Sequence, residues 1–322
     1  MINKGILIIS LDFEMMWGAL DLWTPQDYGQ TNVQHVEEVI QRLITLFKKY
    51  EIHATFASVG LLMLRGKEEE KKYRPSMPPS YLNAKLSPYN DNYIDNIGQE
   101  SLYFAPNIIH FLKEQKNVEV ASHTFSHYYC WEKGQTAEQF EEDMRLTSQV
   151  AKEKGLQLDS IVFPRNQVSN AYLEICAKYG FKVYRGISPR FSSQPKNNIH
   201  TFLQRIGRLI DTYNIWGTPS TIKHQSINTE PIINVPSSRF LRPYDRRLKI
   251  LDRLRLKRIQ REMSYAAKHG EMYHLWWHPH NFGANMNENF DFLEKIIETY
   301  KTLQMQYGME SMTMKEYAHY FK

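Results

Sequence analysis

A chain of 322 residues with 42% hydrophobic and 23% charged residues can bury a sizeable core, and its composition is that of an ordinary globular protein, which excludes a disordered chain. No apolar run reaches the ~20 residues needed to cross a bilayer. Two cysteines far apart in sequence, Cys130 and Cys176, give neither a disulfide framework nor a cysteine-based metal site, and the formal charge of +5 comes without a nucleic-acid recognition motif.

The first element is the strand "KGILIISLD", whose apolar run ends at Asp12. It lacks the basic n-region and small-residue cleavage site of a secretory leader, so the expectation is a buried strand in a cytoplasmic protein. "VQHVEEVIQRLITLFKKY" has helical periodicity and "EIHATFASV" is a second strand. Residues 65–98 are charged and then rich in proline, tyrosine and asparagine, which predicts a surface excursion, either a binding loop or a solvated one. "PNIIHFLKEQ" predicts a helix, "NVEVASH" a strand, "TAEQFEEDMRLTSQVAKEKG" a helix closed by Gly155, and "LDSIVFPR" a strand. "NAYLEICAKYG" and "FKVYRG" repeat the unit, residues 190–240 are irregular, and "GEMYHLWWHPH" is a late strand. Such alternation predicts a parallel sheet with helices outside, open or closed into a barrel, with functional groups at the carboxyl ends of the strands.

Four strand ends carry chemistry. Asp12 and Glu14 fall on one face because strand side chains alternate with period two. "VASHTFSH" brings His123 and His127 after the next apolar run; alone, the pair reads equally as two hydrogen-bonding residues at a strand end. "SIVFPRN" ends in Arg165, and "YHLWWHPHN" ends in His278 and His280. Two imidazoles and the Glu14 carboxylate form a ligand set that leaves positions open for water and a substrate oxygen, as a catalytic divalent metal requires, and zinc suits those donors. A nearby carboxylate, Asp12, can take a proton from the water, and an imidazolium, His278 with His280 as the competing candidate, can return one to the leaving group.

These residues resemble the polysaccharide deacetylases with a NodB homology domain, carbohydrate esterase family 4, over about Ile6 to His280. "SLDFE" resembles the family's first motif, "HTFSH" its H-[ST]-x-x-H motif, "HATFASVG" its second strand, "GFKVYRG" the strand after the arginine motif and "WWHP" the strand that carries the general acid. The resemblance implies a distorted (β/α)7 barrel, removal of an acyl group from an amide nitrogen, commonly on N-acetylated sugars, and a base oriented by Arg165. It departs at Glu14, where aspartate is commoner, and at Arg165, which follows Pro164 and precedes Asn166 and Gln167.

The segment 239–261 holds ten Lys or Arg against two Asp, a local balance of +8. It predicts an amphipathic element with either a solvated basic face or an attraction to phosphate on a nucleotide-linked or lipid-linked glycan or an anionic membrane at the inner face. The expectation is one catalytic domain over residues 1–322 that deacetylates an N-acetylated carbohydrate in surface-polysaccharide assembly. The competing readings are a related C–N hydrolase of a non-sugar amide and a silent carbohydrate-binding barrel.

Overall fold

The computed structural model describes residues 3–90, 93–187 and 202–321. Its strands are β1 (Ile6–Phe13), β2 (Ala54–Ser58), β3 (Val118–Ser122), β4 (Ser160–Ile161), β5 (Val183–Tyr184), β6 (Ile233–Asn234), β7 (Arg239–Phe240), β8 (Met272–Trp277) and β9 (Glu310–Met312). The helices are α1 (Val36–Tyr50), α2 (Lys67–Glu70), α3 (Pro106–Lys113), α4 (Ala137–Glu153), α5 (Asn170–Lys178), α6 (Phe202–Tyr213), α7 (Asp252–His269), α8 (Met286–Tyr307) and α9 (Met314–Ala318). Each major helix forms where apolar residues recur at helical spacing. In α1, Val36, Val39, Ile40, Leu43, Ile44 and Phe47 are buried, and the helix stops where Glu51 turns left-handed at φ 55°.

The strands are paired in parallel in the order β6-β5-β4-β3-β2-β1-β8-β7. Residues 233–241 join the two ends of that order. Ile233, Val235 and Ser237 donate their amides to Lys182, Tyr184 and Gly186 on the β5 side, while Ser238 and Leu241 donate to His274 and Trp276 on β8. One bent segment is therefore the seventh stave, and the fold is a distorted (β/α)7 barrel. A second distortion sits at β1, whose one edge pairs with β8 while its other edge is shared between β9 at Ile6–Ile8 and β2 at Ser10–Phe13.

Strand alternation sorts the core into two layers. Leu7, Ile9, Leu11 and Phe13 face outward under the helices, while Ile6, Ile8, Ala57, Ala121, Val162, Val183, Val235 and Met272 fill the barrel floor. Above that floor the inward positions turn polar, at Ser10, Asp12, His123, Arg185 and His274, all buried.

The excursion at 65–98 is docked. Tyr73, Tyr81, Leu86, Ile94 and Ile97 are buried, the Tyr73 hydroxyl donates to Glu153 on α4, and the Tyr81 hydroxyl accepts the amide of Tyr129 at 2.9 Å. Of the irregular stretch 190–240, residues 190–201 lie outside the described residues.

Part of the basic segment lies inside rather than on a solvated face. Arg239, Arg255 and Arg258 are buried, and Arg239 pairs with Glu262 at 2.7 Å and Asp211 at 3.0 Å. Arg258 reaches Glu262 at 3.1 Å and the Thr218 carbonyl at 2.7 Å, with the Tyr273 hydroxyl donating to Glu262 at 3.1 Å. Removing one member of a buried ion network strands the others, so Glu262→Ala is expected to lower the unfolding free energy by about 3–5 kcal/mol in urea titration, while Glu298→Ala on the exposed face of α8 stays within about 0.5 kcal/mol.

Candidate metal and catalytic site

The site lies at the carboxyl ends of β1, β3, β5 and β8, and its geometry begins with the turn after β3. The turn is not helical, because Thr124 and His127 take left-handed φ values of 63° and 59°. Asp143 of α4 holds it from behind, accepting the amides of Phe125 at 2.6 Å and Ser126 at 3.0 Å and the Ser126 hydroxyl at 2.5 Å. Burial pushes the Asp143 carboxyl up to about 6, opposed by those three donors. Gly60 lets β2 pass the turn, since a Cβ there would lie 2.5 Å from the Phe125 ring.

The turn brings both histidines to Glu14. His127 Nε2 is 2.8 Å and His123 Nε2 3.3 Å from Glu14 Oε2, and one donor atom from each of the three residues lies within 4.8 Å of the others. His123 Nδ1 donates to the Val162 carbonyl at 2.9 Å, which leaves the Nε2 lone pair facing the cluster, and that buried Nε2 has no hydrogen-bond partner. Gly18 makes room for the carboxylate, because a Cβ there would lie 2.1 Å from Glu14 Cδ. An orphaned imidazole nitrogen, a second imidazole and a carboxylate within one small buried space fit a divalent metal ion.

Asp12 lies beside this cluster and is clamped by an arginine, but the arginine is Arg185. Its Nη1 and Nη2 donate to Oδ1 and Oδ2 of Asp12 at 2.6 and 2.7 Å, with further bonds to Ser10 Oγ and Asn166 Oδ1 at 3.1 Å each. The guanidinium is fully buried and lies 4.2 Å over the Trp276 ring. Burial raises the Asp12 carboxyl, but the Arg185 charge and the His123 and His278 imidazoles outweigh it, so the group lies below the ordinary aspartate value. Burial also raises Glu14, and the facing His278, His127 and His123 overcome it, leaving that carboxyl well below its ordinary value.

Arg165 is elsewhere. It sits in a turn after β4 with φ 53°, which swings its side chain to the rim, where Nη2 donates to both oxygens of Asp21 at 2.7 Å and the guanidinium covers the Tyr129 ring at 4.4 Å. Its neighbour Asn166 makes the inward contact. The "YRG" at the end of β5 carries the same signal as "FPR", an arginine closing a strand.

His278 and His280 differ in setting. His278 Nε2 is 3.5 Å from Glu14 Oε1 and 3.9 Å from Asp12 Oδ2, and its side chain is 23% exposed, so solvent and substrate reach it. The Tyr28 hydroxyl donates to Asn281 Oδ1 at 2.7 Å, and the Asn281 side-chain amide lies 3.3 Å from His278 Nδ1, which leaves Nε2 facing the carboxylates. His280 is buried, 3.8 Å from Glu14, and burial pushes its imidazole down to about 3. Tyr28, Asn281, Asn166, Arg185 and Asp143 are contributors that sequence reasoning missed.

The site is thus a Glu-His-His cluster that could hold a metal ion, with a clamped carboxylate beside it, at the mouth of a parallel barrel. A sequence model described as polysaccharide deacetylase matches residues 26–184, which takes in β2 to β5 and both turn histidines. Over those residues the chain matches the polysaccharide deacetylase family. No curated protein matches it in sequence. Among solved structures, it is similar to a Mycobacterium smegmatis protein assigned as a polysaccharide deacetylase, at 11% identity and a TM-score of 0.59, covering 99% of this chain and 90% of that one. The Puue allantoinase shares 11% identity with a TM-score of 0.56, covering 98% and 89%, and a branching enzyme from Pyrococcus horikoshii shares 13% with a TM-score of 0.54, covering 99% and 71%. At these identities the likeness is one of fold.

Because Asp143 accepts three hydrogen bonds inside the protein, Asp143→Ala is expected to lower stability by about 2–4 kcal/mol and to speed amide exchange selectively at residues 123–128. Asp143→Asn, which keeps one acceptor, should fall between the two. Unchanged exchange in the turn would mean that β2 and β3 hold it without α4.

Proposed function

We propose that this chain is a metal-dependent hydrolase that removes an N-acetyl group from an amino sugar in a glycan or glycan precursor, acting as one catalytic unit over residues 1–322 in cytoplasmic surface-polysaccharide biosynthesis. The observation that carries the reading is the convergence of Glu14, His123 and His127 on one point with the clamped Asp12 and His278 beside it. Among the described residues no helix is long and apolar enough to cross a membrane.

Glu14, His123 and His127 would hold the ion, and two imidazoles with one carboxylate suit zinc. When bound, a divalent ion supplies a Lewis acid for the acetyl carbonyl and lowers the pKa of a water molecule. Asp12 accepts the proton of the attacking water. Arg185 fixes both carboxylate oxygens of Asp12, so the base approaches in one orientation and stays ionised inside the barrel. His278, as an imidazolium, would give its Nε2 proton to the leaving nitrogen, and the Asn281 side chain 3.3 Å from Nδ1 steadies the ring. His280, buried and kept neutral, is the weaker candidate for that proton and packs against Tyr28 at 5.7 Å between ring centroids.

His123→Ala is expected to abolish stoichiometric zinc in elemental analysis while the circular dichroism spectrum persists, since a barrel of this size does not depend on one ion for its core. Full occupancy in that variant would remove the ligand assignment. Asp12→Asn should retain zinc and release acetate from an N-acetylated oligosaccharide about a hundredfold or more slowly. Arg185→Met should approach the same loss, whereas Arg165→Met should keep turnover close to that of the unmodified protein; the reverse order would return the orienting role to Arg165. Turnover confined to a non-sugar amide would assign the related C–N hydrolase reading instead.

A further inference from the structure

The strongest feature outside the site is a cavity of about 660 Å³ beside the barrel mouth. Its walls come from the loops that follow β7 and β8. Arg242, Arg246, Arg247 and Arg255 line it, with Tyr213 and Asn285 opposite and two carboxylates, Asp245 and Asp252, among them.

Those carboxylates have other work. Asp252 pairs with Arg255 at 3.0 Å, and Asp245 accepts the amide of Arg247 at 2.9 Å, capping the turn before α7. Among the described residues, no carboxylate lies within ion-pair distance of the Arg242, Arg246 or Arg247 guanidinium. Four guanidiniums against two carboxylates leave the lining formally positive, and positive charge around a concavity focuses potential more strongly than on a convex face.

The cavity is also built in place. Buried Arg255 donates to the carbonyls of Arg242 at 2.5 Å and Pro243 at 3.2 Å and lies 3.9 Å over the Phe292 ring, while its Nε remains without a partner. Asn289 of α8 accepts the Tyr244 amide at 2.7 Å and donates to the carbonyls of Ala284 and Asn285, so one side chain ties the two loops together. The loops leave the sheet next to the chemistry: the Phe240 ring at the end of β7 is 5.8 Å from the His278 ring, and Asn285 follows the turn that carries His280. In (β/α) barrels the loops after the last strands are a recurrent place to hold phosphate.

We propose that this cavity is an anion subsite for a phosphoryl group, so that the substrate is a sugar joined to a diphosphate. The subsite stands on its own geometry; that the sugar is deacetylated rests on the function proposed above. Nucleotide-linked and lipid-linked sugars share the diphosphate. An anionic bilayer is the less favoured occupant, because the guanidiniums line a concavity.

The test is isothermal titration of the zinc-loaded full chain with inorganic pyrophosphate at about 0.1 M salt, where the Debye length is ~10 Å. The unmodified protein is expected to bind, and the Arg246→Gln, Arg247→Gln double variant to bind about tenfold or more weakly. The Arg253→Gln, Lys257→Gln pair removes equal charge from the exposed face of α7 outside the cavity and should leave binding unchanged. Displacement by UDP or by a short polyprenyl diphosphate would support the subsite and identify which diphosphate it takes. Four results would overturn it: no pyrophosphate binding, equal binding by the first variant, equal loss in the second pair, or binding only to phosphatidylserine vesicles. Because the readout is binding, loss of pyrophosphate affinity in the first pair without acetate release from any N-acetylated sugar would uphold the subsite and defeat the reaction.

Discussion

The constraint that organises this barrel is the burial of two carboxylates on one strand end. Asp12 is 3% and Glu14 8% exposed, and an ion taken out of water loses several kcal/mol of solvation even after the surroundings relax. Each must meet a compensating charge within the same small space. Arg185 reaches Asp12 from the opposite stave and is in turn fixed by Ser10, Asn166 and the Trp276 ring. Glu14 meets imidazoles on two sides, and a bound cation would serve it in the same way. The arrangement of β1, β3, β5 and β8 around one another follows from supplying those partners.

A second demand is directional. Imidazole nitrogens hold a ligand only if their rings cannot rotate, and the turn after β3 meets this with strained backbone and external anchors. Among the described residues, five of the seven non-glycine residues with positive φ, Met15, Thr124, His127, Arg165 and Asn166, lie at the ends of β1, β3 and β4. Left-handed backbone in such residues persists where the surroundings over-determine it. Asp143, the Ser122 hydroxyl on the Thr124 amide at 3.0 Å and the Thr124 hydroxyl on the Tyr128 amide at 2.7 Å are those surroundings.

What the sequence made legible follows the same physics. Period-two alternation placed Asp12 and Glu14 together, and the long amphipathic helices announced themselves by spacing. The seventh stave did not, because β6 and β7 are two residues each and change partners between Ser237 and Ser238, too short for any periodicity to register. Arg165 and Arg185 were not separable either: both close a strand, and only the left-handed turn at Arg165 sends one to the rim and leaves the other inside. The buried arginines of the basic segment read as surface charge because part of what neutralises them, Asp211 and the carbonyls of residues 217 and 218, lies far back in the chain.

The floor beneath the site completes the electrostatic argument. Ala57, Ala121, Val162, Val183 and Val235 are small, so Arg185 can lie across the barrel above them, and the layer they form with Ile6, Ile8 and Met272 is apolar and closed to water. In such surroundings the Asp12–Arg185 pair is stronger than it would be at a surface, and an approach from below would have to cross packed side chains. Among the described residues, Asp12, Glu14 and the part-exposed His278 are therefore open to solvent from the mouth rather than through the floor. The acidic centre inside the mouth and the arginines of the loops after β7 are thereby kept apart, each with its own partners.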